Sequence, residues 1–442
     1  VDNELTPTPT APSGAPLPAA PAWLAGWQRR LSGVAMPPAT DRAVPVSAMA
    51  ASSVTAPSTR ATEEDFWDEV SISPVLGEAR VVEGTALREV TFLWEGDQPE
   101  VMVHINSLTD AHRHDITPAL LKRIPGTRIR HISYLLPEDI LAGYRFVTDT
   151  HIPRDVGATR PGWKRIHERG VPDPRNPRTL PHPLGETSSM LVMPGFAAHD
   201  AWDPALPARH RGERRTLRTE PHLSPARTVF LYTPPEAVTR LLVLFDGDRW
   251  DALNLPDALD RFGAPGLAVA MVSAISPEDR QSDLPHPERI AAILRVEILP
   301  AVAEALGQEL DPARIIVAGQ SYGGLAAGAL VLEHPDIAHT GIVQSGSFHF
   351  RANTEPSPHA EDPGDVSERL ASRRPGPQTG RLIMQLGSEE GILVPQGRLL
   401  RDRARAAGYP VSYREVRGGH DFAWWSHGLF TALEEALYPS GV

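Results

Sequence analysis

The chain has 442 residues, of which 41% are hydrophobic and 22% charged, with a formal net charge of −12 and no cysteine. That length exceeds the roughly 250–300 residues at which a single hydrophobic core stops growing, so two domains or more are expected. The acidic balance argues against nucleic acid and anionic membrane surfaces as partners, no run approaches the roughly 18–20 apolar residues that cross a bilayer, and disulfide or thiolate chemistry is excluded outright.

Residues 1–62 are rich in Pro, Ala, Ser and Thr, which bury too little apolar surface to offset the entropy of ordering, and they read as a disordered tail. Within it Trp23, Leu24, Trp27, Leu31 and Val34 fall at helical spacing, enough for one short docked helix. The opening VDNELTPTPTAPSG has neither a basic nor an apolar stretch, so no secretory signal is read there and a cytoplasmic location is expected. Residues 63–150 carry short alternating runs, VVEGTALREVTFLWEG, VMVHINSL and RIRHISYLLPEDILAGYRFV, which predict a small antiparallel sandwich of immunoglobulin-like type. Residues 151–225 are dense in Pro and Arg and read as a connection between domains. From 226 to 442, strands such as TVFLYTP, LLVLFDG, LAVAMVSAI, RIIVAGQ, GIVQSGS, RLIMQLG and VSYREVRGG alternate with helical stretches. That alternation predicts βαβ units, hence an α/β domain with a mostly parallel sheet and helices on both faces. No phosphate-binding glycine loop and no metal-ligand cluster is found in the sequence.

The chemistry concentrates in this second half. Gly319-Gln320-Ser321-Tyr322-Gly323 matches G-x-S-x-G, and its setting between a buried strand and a small-residue helix is the one a nucleophile elbow of an α/β-hydrolase requires. Ser321 is the expected nucleophile, with the Tyr322 amide at the helix N-terminus facing a developing oxyanion. In this fold the acid and the histidine follow the serine in that order. The histidine expected as base is His420, in Arg417-Gly418-Gly419-His420-Asp421 after the last strand; the acid is Glu389 or Glu390, between which the residues alone do not choose. The second oxyanion donor is expected at the Asp248 amide, in the loop FDGDRW after LLVLF.

These blocks resemble, in order along the chain, those of the bacterial enterochelin esterases, which hydrolyse the ester bonds of tri-catecholate trilactone siderophores. LLVLFDGDRW, AGQSYGGLAA, IVQSGSF and GGHD followed by Trp425 resemble the catalytic half, and VTFLW, ITPALLKRIPGT, AGYRF and PDPRNP the N-terminal half and linker. The resemblance spans about 75–440 and implies Ser321 as nucleophile, His420 as base and Glu390, rather than Glu389, as acid. It also implies a substrate-side role for Arg280 in SPEDRQSDLP. Two departures fall at the expected pocket wall: Phe348, His349 and Phe350 stand where the family has paired tryptophans, and Ser426 where an arginine is usual.

A ferric tri-catecholate is anionic, so capture by an acidic protein must rest on local cations. Arg249 and Arg280 are the candidates for that contact, with Trp250, Phe348, Phe350 and Trp425 as candidates to stack on catechol rings. Residues 151–180 add seven Lys and Arg against three acids, a possible basic rim. No catalytic metal or cofactor is expected, iron arriving with the substrate, and the oligomeric state is not read from the sequence. The competing readings are a related serine esterase acting on acyl sugars or hydroxycinnamate esters, and a non-catalytic siderophore-binding protein.

Overall fold

The computed structural model describes residues 16–17, 19–32, 60–181, 187–352, 354, 362–373 and 379–438. Most of the tail expected over 1–62 lies outside them. The chain divides into two compact units, residues 1–138 with 144–179, and residues 139–143 with 180–442.

The first unit is rich in β-structure. Its strands are β1 (Val75–Val82), β2 (Thr85–Glu95), β3 (Glu100–Ile105), β4 (Lys122–Arg123), β5 (Ile129–Pro137) and the 144–149 part of β6 (Leu141–Asp149). One antiparallel sheet has the order β1-β2-β5-β4, and β3 pairs with β6. Helix α1 (Ala22–Ser32) turns Leu24, Trp27 and Leu31 inward, and they bury against Phe66 and Trp67 of α2 (Glu63–Glu69) and against Leu93, Ile124 and Ile129. A capping box starts α2: the Thr62 hydroxyl accepts from the Asp65 amide, and the Asp65 carboxylate accepts from the Thr62 amide.

The stretch read as a connection contains regular structure. Arg160–Arg169 forms α3, started by the Thr159 side chain and by a proline in the first turn, and its Trp163 and Ile166 bury against Met102, Ile116 and Val147. The basic charge of 151–180 is largely engaged within this unit. Arg154 pairs with Glu100 at 2.5 Å, Arg169 with Asp149 at 2.6 Å and Arg175 with Glu95 at 2.6 Å, while Lys164 meets Glu168 at 3.4 Å. That weakens the idea of a basic rim made by this stretch.

The second unit is built on an eight-stranded sheet of β7 (Glu213–Arg218), β8 (Thr228–Thr233), β9 (Arg240–Phe245), β10 (Leu267–Val272), β11 (Ile315–Gln320), β12 (Thr340–Gln344), β13 (Arg381–Gly387) and β14 (Val411–Val416). Their order is β14-β13-β12-β11-β9-β10-β8-β7; the six from β14 to β10 run parallel, and β8 and β7 close one edge antiparallel. Both faces are covered. Along β11, Ile315 and Val317 enter one core and Ile316 and Ala318 the other, which is why the strand reads as an unbroken apolar run. Among the described residues no helix is long and apolar enough to cross a membrane.

Candidate active site

The polar groups gather where the parallel strands end. After β11 the chain turns at Ser321, whose φ of 58° and ψ of −119° lie where a side chain is rarely tolerated, and enters the helix Tyr322–Glu333. The bend is possible because β-carbons are missing around it. A methyl on Gly319 would sit 2.4 Å from the Gly323 carbonyl carbon, and one on Gly324 2.7 Å from the Gln344 carbonyl oxygen. Gly323 is less constrained, its nearest neighbour being the Phe245 Cβ at 3.2 Å. The Ser321 amide donates to the Gln344 carbonyl at 3.1 Å, its carbonyl accepts from the Ser347 amide at 3.1 Å, and its hydroxyl lies 3.3 Å from the Ser347 hydroxyl. Tyr322 is the first residue of the helix, so its N–H has no intrahelical acceptor.

The loops after β13 and β14 bring an acid to a histidine. Nδ1 of His420 lies 2.9 Å from Oε2 of Glu390, whose side chain is buried. The other carboxylate oxygen accepts from the Ser345 hydroxyl at 2.5 Å and from the Gly387 amide at 2.9 Å. The indole N–H of Trp425 in turn donates to the Ser345 oxygen at 2.8 Å, and its ring meets the His420 ring edge-on at 4.8 Å. Glu389 accepts from its neighbour Ser388 at 3.0 Å, and it is Glu390 that reaches the imidazole.

The loop after β9 is held from outside. Asp246 has a left-handed φ of 60° and precedes the short helix Gly247–Ala252, which makes Asp248 the second residue of a helix and leaves its N–H without an intrahelical acceptor. Both oxygens of Asp246 accept from Arg280, at 2.5 and 2.7 Å. Burial, and then the charge of Asp246, raise the Asp248 carboxyl above the ordinary carboxylate range.

A strained serine between strand and helix, a histidine on a buried glutamate and a pinned loop after β9 are the parts of a serine esterase. Comparison with known proteins agrees. The family model described as "Enterochelin esterase, N-terminal" matches residues 89–202, and that described as "Putative esterase" matches 222–436. The iron(III) enterobactin esterase of Escherichia coli (strain K12) is 26% identical over 379 residues, covering 79% of this chain and 92% of that protein. That of Dickeya dadantii (strain 3937) is 28% identical over 428 residues, covering 86% and 94%. The crystal structure of ferric enterobactin esterase from Salmonella typhimurium superposes with a TM-score of 0.72 at 25% identity, over 86% of this chain and all of that one. The chain belongs to the enterochelin esterase family.

This member of the enterochelin esterases is a carboxylic ester hydrolase with an α/β esterase fold. Its remaining expected site residues divide by burial. Trp250 is 0% and Phe348 1% exposed, so both belong to the core instead of a ring-stacking wall. Trp425, 3% exposed, braces His420 and Ser345 and has no open face for a ligand. Phe350 is partly exposed, edge-on to Tyr322 at 5.8 Å and to His286 at 5.4 Å, a position open to a ligand. Arg280 acts in the structure as a clamp on Asp246, through its Nε and Nη2. Arg249 lies over the Phe422 ring at 4.7 Å, and its charge acts on the buried Asp421 beside His420.

Two residues of the site escaped the sequence reading. Ser345, with a φ of 48°, and Ser347 lie in the Ser-Gly-Ser turn after β12; the hydroxyl of the first donates to Glu390 and that of the second lies 3.3 Å from the Ser321 hydroxyl. The block IVQSGSF was in plain view, but nothing in two serines one residue apart says which triad member each will meet. His349 was named in the sequence only as a departure from the family at the expected pocket wall. Burial, then the charge of His420, keep the pKa of His349 below the usual histidine value.

Proposed function

We propose that the chain hydrolyses the ester bonds of ferric tri-catecholate trilactone siderophores of the enterobactin type, releasing their iron in the cytoplasm. The observation that carries the chemistry is the Glu390–His420 contact at 2.9 Å, on loops that end β13 and β14, in the same parallel sheet as β11, which ends at the Ser321 elbow. The substrate class rests on family membership in both halves of the chain and on the enterobactin and salmochelin esters named for its relatives. We also read the N-terminal unit as an immunoglobulin-like sandwich that accompanies the catalytic unit.

In the proposed reaction Nε2 of His420 takes the Ser321 proton as the hydroxyl oxygen adds to a seryl ester carbonyl. The amides of Tyr322 and Asp248 hold the oxyanion. Collapse breaks the carbonyl–alkoxide bond, and His420 returns its proton to the leaving hydroxyl. Water, deprotonated by His420, then cleaves the acyl-Ser321 ester to a free carboxylate. Glu390 keeps the proton of the neutral imidazole on Nδ1 and offsets the charge of the imidazolium. The chain's own part requires no resident metal; iron enters and leaves with the substrate. Incubation with a ferric trilactone and chromatography of the products tests the reading, together with labelling by a fluorophosphonate. The wild type should yield linear catechoyl-serine products and label at Ser321, and Ser321→Ala should do neither; turnover near wild type in that variant would refute it.

A further inference from the structure

Three glutamines occupy the last polar step of three adjacent parallel strands, where apolar residues would be expected. Gln320, Gln344 and Gln385 stand in register across β11, β12 and β13, at 0%, 0% and 5% exposure. Gln320 Nε2 donates to Gln344 Oε1 at 2.8 Å, and Gln344 Nε2 donates to Gln385 Oε1 at 2.8 Å. The row then leaves the sheet for the C-terminal helix Phe422–Leu437: Gln344 Nε2 also donates to the Trp425 carbonyl at 2.9 Å, and Gln385 Nε2 to the Gly428 carbonyl at 2.9 Å. Because those two acceptors are helix carbonyls, the orientation of each amide is set and the bonds all run one way, from the nucleophile strand to the helix. At the start of the row the buried Gln320 Oε1 has no hydrogen-bond partner among the described residues.

A second observation points to the same row. Gly428 sits in the interior of a 16-residue helix, where glycine is disfavoured relative to alanine. A β-carbon there would lie 2.6 Å from Gln385 Oε1 and 2.9 Å from Gln344 Nε2. The helix thus carries a weak residue at the place where the amide row docks on it.

We propose that Gln320, Gln344, Gln385 and Gly428 form a positioning device that sets His420 against Ser321. Its members adjoin three parts of the site: Gln320 precedes Ser321, Gln344 precedes Ser345, and Gln385 lies two residues before Gly387, whose amide holds Glu390. The helix it grips carries His420 just before its N-terminus, through the Trp424 indole on the Gly419 carbonyl at 2.6 Å and the Trp425 ring on the imidazole. The loop that bears His420 is tied to the loop after β13 by the Glu389 amide on the Gly418 carbonyl, and the glutamine row adds a side-chain grip on the helix that follows it. Apolar packing there would tolerate sliding by fractions of an ångström; directed hydrogen bonds do not. Misplacement of a catalytic group by about 1 Å costs on the order of a hundredfold in rate, which gives such a grip its value.

The inference rests on the Ser321–His420–Glu390 reading, and its test separates the two. In the full chain, Gly428→Ala and Gln385→Met are compared with wild type on a neutral chromogenic ester, with stopped-flow acylation and thermal melting alongside. Gly428→Ala should lower kcat and the acylation rate roughly ten- to a hundredfold with KM nearly unchanged, although alanine favours the helix and the melting temperature holds. Gln385→Met, close in volume but lacking the amide, should lower kcat likewise, and the double variant should be little worse than either single one, since both break one contact. Both variants should still label at Ser321, only slowly. Unchanged kcat in both variants, or losses that multiply in the double variant, would overturn the device and leave the triad untouched. Full turnover by Ser321→Ala would instead sink the triad reading beneath it.

Discussion

Glu389 and Glu390 differ by one position in sequence and by everything in environment. Glu390 is buried with three donors on its two oxygens, counting His420, whereas Glu389 is half-buried and its carboxylate accepts from the Ser388 hydroxyl. Replacing Glu390 by Gln removes the charge that stabilises an imidazolium and puts a donor against Nδ1, so kcat should fall about 10²- to 10⁴-fold, with Glu389→Gln close to wild type. Steady-state kinetics on one ester decides it, and the reverse ranking would move the acid to Glu389. Arg280 gives a second comparison. Its two-pronged contact holds Asp246 in a left-handed conformation at the start of the loop that offers the Asp248 amide. Arg280→Ala should therefore lower kcat/KM by a similar factor, roughly tenfold, on a ferric trilactone and on a neutral butyrate ester, and Arg280→Lys should not restore it, since a single ammonium nitrogen cannot reproduce two parallel bonds from separate nitrogens. A loss confined to the anionic substrate would return Arg280 to substrate capture.

Among the elements, α1 shows how little sequence suffices when the partner is ready. It is 11 residues long and too short to persist alone in water, so its stability comes from the face it buries. Trp27 is 3% exposed and meets the Phe66 ring edge-on at 5.2 Å. Trp27→Ala should destabilise the N-terminal unit by about 3–5 kcal/mol in urea unfolding, the usual range for emptying a buried aromatic site. No change in the midpoint would mean that the helix adds nothing to this unit. The spacing of its apolar residues was readable in advance; the pairing with Phe66 and Trp67, some forty residues away, was not. The helix α3 went unread for a related reason. Its apolar positions are few and its Arg and Pro content resembles a linker, and only the hydrophobic surface made by β3 and β6 gives Trp163 and Ile166 somewhere to go.

At the scale of the whole molecule, acid stability is set by histidines buried in their neutral form. His131 in the first unit and His427 in the second are each pushed down to about 4, by burial first, then by Lys122 and His199 respectively. In the unfolded chain both would titrate near 6.5. Between pH 6.5 and 4 the unfolded state therefore holds protons that the folded state refuses, and stability should fall as pH is lowered through that window. Melting temperatures recorded from pH 7 to 4 should show the decline, and His427→Gln should flatten it by up to one proton; an unaltered slope would assign the loss to other groups. The same division between local and distant causes runs through the site. The strained strand-to-helix turn at Ser321 was legible in the chain because the turn, the helix start and the small residues they need lie within a few positions, where sterics between neighbours decide. Which glutamate meets His420, whether Arg280 points at a ligand or at Asp246, and whether Trp250 and Phe348 line a wall or fill a core depend on side chains brought together from strands and helices tens of residues apart. Those contacts follow from burial and register across the sheet, quantities that exist only once the chain has folded.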